Sequence, residues 1–191
     1  MEAKVNHHAR AFQPISGHRG LDLLATLRDR HRDPSECLLT PTDLDRWLET
    51  AALHTETDAT ENDLQQARRL RETTYRVVRA VLHGSTPTAT DLRELNTWAR
   101  RPTPAPQLAE TLEPHWLGNI QATLAVIARE TIELLATPDR LLIRECAAAP
   151  DCSRIYLDRS PGRRRRWCHM QWCGSTSKMR AYRHRHANVD N

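Results

Sequence analysis

Apolar residues recur at intervals of three and four over two long stretches of this 191-residue chain. From about Thr60 to His83, Leu64, Ala67, Leu70, Thr74, Val77, Val78 and Val81 share one side of a helical period. Glu61, Arg68, Arg69, Arg71, Glu72 and Arg76 fall largely elsewhere, which predicts a long amphipathic helix ended by Gly84. From Asn119 to Thr137 the series Ile120, Leu124, Ile127, Ala128, Thr131, Ile132 and Leu135 predicts a second, stopped by Pro138. Thr40-Pro41-Thr42-Asp43 announces a helix through Leu44, Trp47, Leu48 and Ala51, and Thr88-Ala89-Thr90-Asp91 another with Leu92, Leu95 and Trp98. The run Leu21–Leu27 is too short for period to choose between a buried strand and a first helical turn. Pro102, Pro104, Pro106 and Pro114 exclude a long helix over 102–118 and leave short extended pieces around Leu108 and Trp116.

These elements predict an α+β fold: a mainly helical N-terminal domain with a small sheet, over residues 20–137, followed by a small C-terminal module over 138–191. Residues 1–19 are polar, lack either period and lack the apolar core of a leader peptide, so a flexible lead-in to a non-secreted, cytoplasmic chain is expected there. Charge divides at the same boundary. Residues 1–139 hold 16 Lys+Arg against 20 Asp+Glu, whereas 140–191 hold 12 against 4. An acidic body with a basic arm points to a phosphate-bearing partner, and no run is apolar enough for a membrane.

Four of the five cysteines lie in that arm as C-x5-C, fifteen residues, then C-x4-C: Cys146, Cys152, Cys168 and Cys173. Two close thiol pairs suit the four tetrahedral ligands of one structural zinc, and a site filled by cysteine leaves no position for a catalytic water. Between the pairs, Ile155-Tyr156-Leu157 reads as a strand, Ser160-Pro161-Gly162 as a turn and Arg165-Arg166-Trp167 as the returning strand. A last helix follows, with Met179 and Tyr182 as its inward edge, giving a treble-clef-like zinc module of hairpin plus helix. Arg163, Arg164, Arg165 and Arg166 on the hairpin and Lys178, Arg180, Arg183 and Arg185 on the helix are the candidate nucleic-acid contacts, since residues 159–186 contain no Asp or Glu. Cys37 stands apart as a lone thiol beside a loop.

The C-terminal residues Cys146, Cys152, Asp158, Ser160, Arg164 to Arg166, Trp167, Cys168, Met170, Cys173, Gly174 and Lys178 resemble the motif of the CGNR zinc-finger family. The region from Gly20-Leu21-Asp22-Leu23-Leu24 through Leu44-Asp45-Arg46-Trp47-Leu48 to about Ala136 is similar to the ABATE domain that accompanies that finger. The resemblance implies a bacterial, cytoplasmic, nucleoid-associated and stress-linked transcription regulator with a DNA-binding finger. Ser175-Thr176 stands where the family has Asn-Arg, and Ala25-Thr26 where it often has Asn-Thr.

Residues and resemblance together lead to a DNA-binding transcriptional regulator whose finger docks on double-stranded DNA, with residues 20–137 sensing a small-molecule ligand or forming a homodimer. The rival from another class is a zinc-stabilised adaptor that binds an acidic protein. RNA is disfavoured because Trp167, Trp172 and Tyr182 are expected to pack the module rather than to stack bases. No nucleophile motif or phosphate loop suggests an enzyme.

Overall fold

The computed structural model describes residues 12–187 apart from 54 and 56, with the side chains of 181 and 184–187 also outside the described set. In chain order its elements are α1 (Arg19–Leu24), β1 (Leu27–Arg28), β2 (Ser35–Glu36), α2 (Pro41–Thr50), α3 (Glu61–Leu82), α4 (Ala89–Ala99), β3 (Ala105–Leu108), β4 (Pro114–Leu117), α5 (Ile120–Ala136), β5 (Ile143–Glu145), β6 (Ile155–Leu157) and α6 (Ser175–Ala187). The strands pair two by two, β1 with β2, β3 with β4 and β5 with β6, each antiparallel.

Capping explains why the body helices start where they do. Thr40 Oγ1 accepts the Asp43 N–H at 3.3 Å while the Asp43 carboxylate accepts the Thr40 N–H at 2.9 Å, and Thr60 with Asp63 repeats the exchange at 3.2 and 3.1 Å. Thr88 and Asn119 cap α4 and α5 by accepting the backbone N–H of Asp91 and Ala122. Once formed, the helices bury their apolar stripes together: Trp47 and Leu48 of α2, Leu64, Leu70 and Val77 of α3, Leu95 and Trp98 of α4, and Ile120, Leu124 and Ile127 of α5 share one cluster. The run after Gly20 resolves as a helix followed by a short strand, and a Cβ at Gly20 would collide with Thr131 Oγ1, so glycine is what lets α1 lie against α5.

The β3–β4 hairpin stands out from this bundle with all eight strand residues exposed. Pro106 opposite Trp116 and Leu108 opposite Pro114 place two prolines without N–H groups in the paired strands, which blunts them as templates for further pairing.

Residues 12–19, part of the stretch expected as a lead-in, are tied to the rest of the fold. Residues 1–11 lie outside the described set, but Phe12 is buried in the main cluster and Ser16 is fully buried. The backbone of this segment supplies acceptors to the C-terminal module: the Leu157 N–H donates to Ser16 O at 2.8 Å and Arg154 Nη1 to Gln13 O at 3.3 Å. Ser16 N–H in turn donates to the buried Asp22 carboxylate at 2.9 Å, so a polar, aperiodic stretch is held by hydrogen bonds rather than left flexible.

Body and C-terminal module also share apolar surface. Leu21, Leu24, Val78 and Leu134 form one cluster with Leu142, Ile143, Ile155 and Leu157, joined through a 3-10 turn at Pro138–Leu142. Apolar burial and the Ser16–Leu157 bond therefore fix the module's base onto the helices.

Candidate metal centre and nucleic-acid interface

The strand β6 does not pair with Arg165–Trp167 as the sequence suggested; it pairs with β5, Ile143 opposite Leu157 and Glu145 opposite Ile155. The first cysteine pair thus sits on the loop joining β5 and β6, with the Cys146 N–H donating to Arg154 O at 3.0 Å. Asp158 explains why the chain turns away after β6. Its fully buried carboxylate accepts the Ser160 N–H at 3.0 Å, the Ser160 hydroxyl at 2.6 Å and the Arg165 N–H at 3.2 Å, closing residues 158–165 into a compact loop. Burial alone would raise the Asp158 pKa, but the hydrogen bonds from Ser160 and Arg165 outweigh it and the net shift is downward.

This loop delivers the second pair. The Ala147 N–H donates to Arg166 O at 2.8 Å and the Cys168 N–H to Cys146 Sγ at 3.4 Å, and a π turn over Met170–Gly174 then carries Cys173 into the start of α6. All four Sγ atoms lie within 4.8 Å of one another, and none of the cysteines is in a disulfide. Cys168 Sγ is 3.7 Å from Cys152 Sγ and 3.5 Å from Cys173 Sγ. A regular tetrahedron with Zn–S bonds of about 2.3 Å has an S···S edge of about 3.8 Å, so the sulfurs fit zinc.

Each of these thiols shifts the acidity of its neighbours. Hydrogen bonds from Cys152 and then Cys168 and Cys173 push the Cys146 thiol down, whereas its bonds to Cys146 and then Cys152 push Cys168 up. Four such groups cannot all ionise unaided, and a shared divalent cation removes the conflict. Cys146, Cys152, Cys168 and Cys173 would hold one structural zinc, which would cross-link the β5–β6 loop to the start of α6. Cys37 is separate and buried, its thiol pushed up to about 11 chiefly by burial, as suits an unreactive thiol.

The eight candidate nucleic-acid contacts divide. Arg163, Arg164 and Arg166 are exposed on the 158–166 loop, with the Arg166 guanidinium 5.0 Å from the Trp167 ring centre. Lys178 and Arg183 are exposed on α6, Arg180 is exposed but ion-paired with Asp151, and the Arg185 side chain lies outside the described residues. Arg165 points the other way. Its Nε donates to Trp167 O at 3.0 Å, its Nη2 to Ile15 O at 3.1 Å and also to Cys168 O, and its guanidinium stacks 4.4 Å over the Tyr156 ring. The Tyr156 hydroxyl completes the lock by donating to Arg165 O at 2.6 Å. Of four consecutive arginines, Arg165 braces the metal-binding turn, a role no sequence signal separated from that of its neighbours.

Two further expectations change. Met179 and Tyr182, read as an inward edge of the last helix, are 60% and 57% exposed, so these two side chains do not pack into the module. The aromatic packing of the module comes instead from Tyr156 and Trp167, and Trp172 stacks on His169 with ring centroids 4.0 Å apart.

A helical α+β body whose C-terminal end is a four-cysteine zinc finger defines the class of this protein. Residues 17–138 match the ABATE family, described as "Putative stress-induced transcription regulator", and residues 143–186 match the CGNR zinc finger. The chain belongs to the ABATE family and carries a CGNR zinc finger. A comparison with curated proteins gave no match.

Proposed function

We propose that this protein is a transcriptional regulator that binds double-stranded DNA through its finger, Arg163, Arg164 and Arg166 meeting the duplex from the loop and Lys178 and Arg183 from α6. The observation that carries the reading is the shape of the basic surface. An exposed helix and an exposed loop, both rich in Arg and Lys, flank one metal site, and residues 159–186 contain no acid to oppose a phosphate backbone. Family membership agrees in kind, since both matched models describe regulator and zinc-finger types rather than enzymes. Arg165 is assigned to the finger's interior and Arg180 shares its charge with Asp151, so neither is a leading contact. No helix among the described residues is long and apolar enough to cross a membrane.

The test is duplex binding as a function of salt. Each phosphate neutralised contributes about 0.9 to the slope of log affinity against log salt, so Arg164→Ala with Arg166→Ala lowers the slope by about 2 if both hold phosphates. Binding that ignores salt, with retention of an acidic protein partner instead, would assign the finger to protein docking.

A further inference from the structure

A cleft of about 330 Å³ opens between the body and the finger, and neither the exposed arginines of the loop nor the apolar cores account for it. Arg28 of β1 lines it from the body, Asp151 and Ser153 from the first cysteine loop, and Trp172, Thr176 and Arg180 from the π turn and α6. Asp151 forms ion pairs with Arg32, from the β1–β2 turn, and with Arg180, so one carboxylate ties the body to α6 across the cleft.

The walls carry both signs of charge. Arg28 and Arg180 supply the positive side and Asp29 and Asp151 the negative; Arg154 also lines the cleft, but its guanidinium is turned to Gln13 O, Ser16 Oγ and Asp22. A singly charged ligand would match only one sign of these walls. A compact zwitterion matches both: its carboxylate faces Arg28 and Arg180 and its ammonium the aspartates, with the Ser153 and Thr176 hydroxyls able to donate or accept. Trp172, held flat against His169, offers an apolar surface for a side chain, and a cleft of this size suits a small molecule.

We propose that the cleft binds a free α-amino acid, held between β1, the first cysteine loop and α6. Its carboxylate competes with Asp151 for Arg180, so occupancy exchanges a fixed tie between body and helix for one that depends on the ligand. Because Thr176 and Arg180 face the cleft on the helix that carries Lys178 and Arg183, the occupant bears on the surface read above as meeting DNA. That consequence rests on the DNA reading; binding of the amino acid does not.

The experiment uses the zinc-loaded full chain without DNA. Indole N–H resonances are followed by NMR during titration with a panel of L-amino acids at millimolar concentration, Trp172 being assigned by its loss in Trp172→Phe. The expected result is a saturable shift of the Trp172 resonance with at least one amino acid, weakened about tenfold or more when its amine is acetylated or its carboxylate esterified, about 1.4 kcal/mol per factor of ten. Thr176→Trp, which fills the cleft from α6, and Arg180→Gln, which removes a guanidinium partner of the carboxylate, should each diminish the shift while the chain keeps its zinc. The proposal is overturned if no amino acid moves that resonance, if the blocked derivatives bind as well as the free acid, or if both zinc-retaining variants respond like the parent.

Discussion

Among the described residues, the helical body gathers nineteen buried hydrophobic residues, Trp47, Leu70 and Leu124 among them, into one cluster, whereas the finger's own cluster has three, Cys146, Tyr156 and Cys168, two of them metal-site cysteines. Both regions reach a defined structure, yet by different means. The body is held by apolar area removed from water, worth about 25 cal/mol per Å². Beyond β6, the finger relies on directional bonds: the Asp158 loop closure, the Arg165 brace and the four sulfurs. The contrast teaches where function can be placed. A core-built region needs its helix faces inside, but a metal-built one leaves its loop and last helix free to present arginine to a partner.

The largest expected effect on this contrast comes from Cys168→Ser. It removes a ligand whose sulfur lies 3.7 Å from Cys152 Sγ and 3.5 Å from Cys173 Sγ, and zinc affinity of about 10 kcal/mol or more is the finger's folding energy. Elemental analysis should find about one zinc per parent chain and little in the variant, with the helical circular dichroism of the body retained. Full metal retention would mean that the sulfurs are not the site.

Leu70→Ala probes the other half. Leu70 is fully buried in α3, and truncation there should cost about 2–5 kcal/mol in denaturant unfolding of the body while leaving zinc content unchanged. A loss of zinc in step with that destabilisation would show that the two regions do not hold themselves independently.

Acid provides the smallest and most selective probe. Arg71, almost wholly buried, makes a bidentate bond to Glu36 at 2.7 and 2.6 Å, and Arg30 makes one to Glu72 at 2.7 and 3.0 Å. Burial would raise both carboxylates, but bonds from Arg71 to Glu36, and from Arg30 and Arg71 to Glu72, overturn it and leave both below their usual range. Folded values lower than unfolded ones give stability that is present above the unfolded glutamate pKa of about 4.3 and is lost as pH falls through the folded values. The urea midpoint of the body, read on its helix signal, should therefore fall below about pH 4, and Glu72→Gln should flatten that fall. An unchanged pH profile in Glu72→Gln would remove this network from the body's stability.

Much of this contrast is legible in the sequence because the relevant signals are local. The capping stretches at Thr40 and Thr88 and the apolar periods from about Thr60 and from Asn119 mark α2 to α5 to within a residue or two, and the spacing of the four cysteines marks the metal site. What was misread depends on partners distant in sequence. Ile155–Leu157 is buried at all three positions, so no alternation indicates whether β5 or the residues after Gly162 will pair with it. The acceptors at Gln13, Ile15 and Ser16 are backbone carbonyls, which every residue has. Arg165 sits among identical neighbours, and only the position of Tyr156 beneath it distinguishes the one that turns inward. Ala25 and Thr176, two positions at which the chain departs from the pattern it resembles, lie far apart in sequence but line the same cleft.

Hydrogen exchange of the full chain before and after zinc removal by a chelator tests the central claim most directly, that metal holds the finger and apolar burial the body. Amides of the 158–174 loop and turn and of α6 should lose protection while those of α3 and α5 keep theirs. Equal loss in α3 and α5, or unchanged protection in the finger, would contradict it.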